Sequence, residues 1–81
     1  MVFYYVYILQ SKVAPETFYV GFTKDLRTRL QTHNSGKVPH TVKSRPWRIK
    51  TAVAFTDRPQ AIEFERYLKS SSGRAFAKKR L

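Results

Sequence analysis

An 81-residue chain with 16 Lys+Arg against 5 Asp+Glu, a formal charge of +11, has room for one domain over residues 1–81 and not for two. It contains no cysteine, which excludes a disulfide framework and a thiolate zinc site and fits a reducing, cytoplasmic setting. A domain this basic needs a polyanion to approach it; the cations are spread along the whole chain rather than gathered on one amphipathic helix, which argues for nucleic acid over a membrane surface.

Residues 2–9 are an unbroken run of aromatic and β-branched side chains. The run is far short of the ~20 residues of a membrane span and has neither a basic leader nor a small-residue cleavage site. It suits a central strand of a soluble protein, covered on both faces. Pro15 and polar side chains fill residues 11–16, and residues 17–22 are β-rich again, so the two runs predict an antiparallel hairpin. Thr23 is placed to cap a helix over residues 24–34, with Leu26 and Leu30 one turn apart and Ser35-Gly36 as its stop. Residues 37–47, which include Pro39 and Pro46, read as a basic loop. Residues 48–55 alternate as a third strand, with Ile49, Val53 and Phe55 on one side and Lys50 on the other. Asp57 can cap a second helix that carries Pro59 in its first turn and ends near Ser70. Residues 71–73 break it, and residues 74–80 add a short basic helix. The order predicts an α+β fold, a small three-stranded antiparallel sheet flanked by helices.

Polar groups on faces that should be apolar are the places to look for chemistry. On the second helix, with Ala61 at zero, Phe64 at about 300° and Ile62 at about 100° bound the apolar arc, which also holds Leu68, and Glu65 falls inside it at about 40°, whereas Glu63 points to solvent. A carboxylate facing a sheet needs a cation, either an arginine in a structural ion pair or a ligand. On the first helix Arg29 and His33 flank the Leu26–Leu30 stripe one turn apart and can reach one object, while Arg27 and Gln31 point away. Tyr5 and Tyr7 share a strand face, Tyr19 can lie beside it across the hairpin, and Gly21 leaves a gap where backbone or substrate could approach.

Tyr5-Val6-Tyr7, then Tyr19-Val20-Gly21, then Arg29 in one helix and Glu65 in a later one, resembles the GIY-YIG nuclease superfamily, and within it the small stand-alone bacterial members. The similarity runs through Asp25-Leu26 before Arg29-Leu30, His33-Asn34 with Gly36 after it, and Glu65 to Lys69 followed by Ser72-Gly73-Arg74-Ala75-Phe76. Tyr5 stands where the superfamily's name has glycine, and no asparagine follows Glu65 where some larger relatives use one.

This resemblance implies metal-dependent endonucleolytic hydrolysis of phosphodiester bonds in nucleic acid, DNA foremost, in DNA repair or processing. One divalent ion, Mg²⁺ or Mn²⁺, would be held by Glu65. Arg29 would steady the scissile phosphate, Tyr7 and Tyr19 would position or deprotonate the attacking water, and His33 would assist. A tyrosine of ordinary pKa, ~10, is a poor base at neutral pH, so that role needs a metal or arginine nearby. The alternative is a nucleic-acid-binding module of the same fold that cleaves weakly or not at all. In both readings Lys37, Lys43, Arg45, Arg48, Arg74, Lys78, Lys79 and Arg80 contact phosphates. No recognition helix is legible, so low sequence specificity is expected, with targeting left to a partner protein or to the shape of the nucleic acid.

Overall fold

Strand β1 (Tyr4–Ser11) lies between β2 (Phe18–Thr23) and β3 (Trp47–Phe55) in an antiparallel sheet of order β2-β1-β3, seen in a computed structural model that describes residues 1–81. The central position explains the unbroken apolar run: Val6, Tyr7, Ile8 and Leu9 are all buried, so successive side chains fill cores on opposite faces. Helices α2 (Arg58–Leu68) and α3 (Ser71–Arg80) cover one face, where Val6, Ile8, Ala61 and Leu68 form a core edged by Val20, Phe22, Phe55, Phe64 and Ala77. Helix α1 (Leu26–Asn34) covers part of the other, where Tyr7, Leu9 and Trp47 pack with Tyr19, Leu26, Leu30 and Ile49. No helix is long and apolar enough to cross a membrane.

The fold class expected from the sequence is the one found; four local expectations need correction. Asp25, not Thr23, caps α1, because its side chain accepts from the Thr28 amide. The Thr23 hydroxyl instead accepts from the Asp25 amide at 3.1 Å, two residues too early to serve the helix. Ile49 does not share a face with Val53 and Phe55. Leu9 pairs with Ile49 and Ile8 with Thr51, so a bulge around Lys50 reverses the alternation. Trp47 and Ile49 thereby join the α1 core and Phe55 the α2 core. Residues 71–73 do not break a helix but open α3, whose Ser70 cap accepts from the Gly73 amide at 3.1 Å. Gly73 is there for packing, since a Cβ would collide with the Tyr67 carbonyl at the end of α2. Finally, the space beside Gly21 is filled by Tyr7, its cross-strand partner: a Cβ would strike the Tyr7 ring and hydroxyl, so the residue accommodates a side chain, not substrate.

Candidate active site

The face under α1 holds Tyr7, Tyr19 and His33, with Arg29 on the helix above them. Because α1 packs over the Leu9, Trp47 and Ile49 end of the sheet, Ala52 and Ala54, the cross-strand partners of Tyr7 and Tyr5, stay exposed. A shallow floor of small side chains therefore lies open beside Tyr7.

Tyr7 and His33 form the centre. Both are buried, at 3% and 1% exposure, and Tyr7 Oη lies 3.0 Å from His33 Nε2. His33 Nδ1 is 2.9 Å from Thr41 Oγ1. The ring of Tyr19 leans on that of His33 at a centroid distance of 5.0 Å, so Tyr19 walls the imidazole on the β2 side. These contacts require His33 in the last turn of α1, where four residues after Arg29 the helix again faces the sheet.

The electrostatics divide the two members. Burial pushes the Tyr7 phenol above its ordinary range, and the neighbouring Tyr19 and Glu65 add to this while Arg29 opposes it. The arginine that the base role calls for is present, yet desolvation outweighs it and the phenol keeps its proton at neutral pH. His33 moves the other way: burial and then the Arg29 charge hold it below the usual histidine range, so it is neutral. A neutral imidazole against a protonated phenol is a proton acceptor facing a proton donor.

Arg29 is exposed on α1, one turn before His33, with its charge acting on both Tyr7 and His33. Glu65 comes from α2, and its charge also acts on Tyr7. Its side chain is 23% exposed, and Oε2 pairs with Lys69 Nζ at 3.2 Å. The expected inward arginine partner is thus a lysine one turn along the same helix, an exposed pair of little strength. No cluster of three His, Cys, Asp or Glu side chains exists. The donor set fits a hard ion held by one carboxylate and completed by water and phosphate oxygens, and it does not fit an all-protein cage.

The cations proposed for phosphate contacts separate into two groups. Lys37, Lys43 and Arg45 are exposed in the α1–β3 connection, on the side of His33 and Trp47, whereas Arg48, at the start of β3, alternates to the α2 face, where its guanidinium donates to the Gln10 side chain. Arg74, Lys78, Lys79 and Arg80 are exposed on α3, across the sheet. A groove of about 820 Å³ lies on that second side, floored by Ile8, Val20 and Leu68 and edged by Lys50, Lys69, Arg74 and Lys78. Neither Tyr7 nor His33 lines it, although Tyr19 does.

Two polar residues at the site escaped the sequence reading. Thr41 is buried at 1% exposure within the basic loop. Asn34 clamps α1 to β3, its Oδ1 accepting from the Trp47 amide at 2.6 Å and its Nδ2 donating to the Trp47 carbonyl at 3.1 Å. Neither breaks a periodic pattern; Asn34 figures only in the His33-Asn34 stretch of the family resemblance, without a role, and nothing marks Thr41.

Residues 3–80 match the family model of the GIY-YIG catalytic domain. The chain is 40% identical over 67 residues to the UPF0213 protein YsiG of Lactococcus lactis, covering 82% of this chain and 62% of that protein. It is 40% identical over 70 residues to the structure-specific endonuclease subunit SLX1 of Scheffersomyces stipitis, covering 78% of this chain and 21% of that one. The chain thus spans less than two thirds of the length of either relative. The solution NMR structure of the UPF0213 protein BH0048 from Bacillus halodurans is similar at a TM-score of 0.56 and 32% identity, over 94% of this chain and 80% of that one.

Proposed function

The chain belongs to the GIY-YIG catalytic domain family, and from that premise we propose that it is a metal-dependent endonuclease hydrolysing phosphodiester bonds in nucleic acid, DNA foremost. The observation that carries the reading is the buried Tyr7–His33 hydrogen bond, 3.0 Å long, with the charges of Arg29 and Glu65 acting on the same phenol. A pure binding surface has no use for a carboxylate beside a phosphate site, or for a buried phenol paired with a neutral imidazole.

Each residue then has a separate task. Arg29 holds the scissile phosphate and stabilises charge that builds on its oxygens. Tyr7 contacts the attacking water and takes its proton while its own passes to His33 Nε2; the water oxygen bonds to phosphorus, the bond to the leaving oxygen breaks, and that oxygen is protonated from solvent. Tyr19 keeps the imidazole in place through its ring. Glu65 would hold the divalent ion, Mg²⁺ or Mn²⁺, whose chemistry when bound is Lewis-acid stabilisation and a more acidic water. Lys37, Lys43 and Arg45 contact backbone phosphates on the site's side, and Arg48 contacts them from the opposite face, with little sequence preference. The name of the SLX1 relative describes a structure-specific endonuclease subunit; a partner protein that supplies targeting, and work in DNA repair or processing, belong to the same proposal.

The test is cleavage of labelled single-stranded, duplex, nicked and branched DNA and RNA with Mg²⁺ or Mn²⁺, for the wild type and Glu65→Ala, with binding measured in parallel. Wild-type cleavage and a mutant that binds but does not cut support the reading. Salt-dependent binding by both proteins with no cleavage of any substrate replaces it with the binding module.

A further inference from the structure

We propose that Thr41 is a positioning residue for the reaction: its hydroxyl fixes His33 as the tautomer protonated at Nδ1, which leaves Nε2 free to take the Tyr7 proton. The inference rests on the reading of Tyr7 and His33 as the proton-transfer pair.

A proton count along a buried chain of hydrogen bonds fixes the tautomer. The Thr41 hydroxyl has a single proton and lone pairs on its oxygen. Thr41 Oγ1 donates that proton to the Val38 carbonyl at 3.3 Å. Toward His33 Nδ1, 2.9 Å away, the same oxygen can then only accept. Nδ1 therefore carries the ring proton. A neutral imidazole has one N–H, so Nε2 presents its lone pair, and across the 3.0 Å contact the Tyr7 hydroxyl donates. The donors all run one way, from Tyr7 to His33, His33 to Thr41, and Thr41 to Val38. When the Tyr7 O–H bond breaks, its electron pair stays on the phenolate oxygen and a new N–H forms at Nε2. The resulting imidazolium keeps its Nδ1–H bond to Thr41, so nothing has to rotate during the transfer.

The mount under this hydroxyl is firm. The Thr41 amide donates to the Val38 carbonyl at 3.0 Å, and the Thr41 carbonyl accepts from Nε1 of the buried Trp47 at 2.9 Å. A surface threonine in a basic loop needs none of these ties. No buried side-chain polar atom at the site is left without a partner, so removing the hydroxyl strands Nδ1 in a place water does not reach. The neutral ring then gains by moving its proton to Nε2, where Tyr7 can accept it, and the direction of the chain reverses.

The experiment is a long-range proton–nitrogen correlation spectrum of histidine-labelled protein above neutral pH, together with single-turnover cleavage, for wild type, Thr41→Val, Thr41→Ser and His33→Gln. The wild type is expected to show His33 with a protonated-type Nδ1 and an unprotonated-type Nε2. Thr41→Val, nearly isosteric, should lose that signature and slow cleavage by about tenfold or more, and Thr41→Ser should recover both. A wild-type spectrum with the proton on Nε2 overturns the proposal, as does Thr41→Val with unchanged signature and rate. If His33→Gln is slow while Thr41→Val cleaves normally, only the role of Thr41 falls. If His33→Gln itself cleaves at the wild-type rate, the proton-transfer pair falls, and the role of Thr41 in the reaction falls with it.

Discussion

At the residue scale, His33 and Tyr7 are buried side chains whose protonation states are set by one desolvated spot, and this links the site to stability. The folded chain resists protonating His33, whereas the unfolded chain protonates it in the ordinary range near ~6.5. On acidification the unfolded state binds the extra proton first, so stability is full above that range and falls as pH drops through it. Tyr7 acts at the other end: its raised value preserves stability below the ordinary tyrosine value of ~10 and loses it as pH rises beyond. Urea melts between pH 8 and 5 should therefore show a loss in the wild type that is smaller in His33→Gln; equal losses would place the acid sensitivity elsewhere. Tyr7, Tyr19, Arg29, His33 and Glu65 were legible in the sequence because each interrupts a periodic apolar face or repeats a family motif. Thr41 was not, because a threonine among basic loop residues looks the same whether it faces solvent or an imidazole. Its role exists only once the chain from α1 to β3 has folded back over His33.

At the scale of elements, the sequence carried the strand order's centre and the helix positions well and the exact caps poorly. The run over residues 2–9 reads as a doubly covered strand because apolarity without alternation requires two cores, and β1 has two. The bulge at Lys50 was invisible because it is defined by the partner strand: Ile8 and Leu9 pair across it to Thr51 and Ile49. Thr23 and Asp25 are both acceptable caps by type, and only the geometry of the β2–α1 turn chose Asp25. The joint between α1 and β3 depends on Asn34, which satisfies both backbone groups of the buried Trp47. Asn34→Ala should cost about 1–3 kcal/mol in chemical denaturation, because it leaves the Trp47 amide unpaired. A change below a few tenths would mean that water replaces the side chain and that the clamp contributes little.

At the scale of the whole molecule, the sheet separates two basic surfaces that the sequence presented as one. Only the loop group, Lys37, Lys43 and Arg45, shares a side with the Tyr7–His33 pair. Each phosphate contact removed should lower the slope of log affinity against log salt by about 0.7–0.9. Lys37→Ala/Lys43→Ala/Arg45→Ala should thus flatten the slope by about 2, and Arg74→Ala/Lys78→Ala/Lys79→Ala by less than about 1, as read by fluorescence anisotropy over a salt series. Equal effects would mean that nucleic acid wraps both faces. The central claim is that one end of this sheet is a catalytic centre organised around the Tyr7 hydroxyl. Its most direct test is single-turnover cleavage by Tyr7→Phe with Mg²⁺, which deletes one oxygen and keeps the ring that packs over Gly21. Cleavage slowed by about 10²–10⁴ with affinity intact is the result expected of a lost proton-transfer group; cleavage at the wild-type rate would contradict the account.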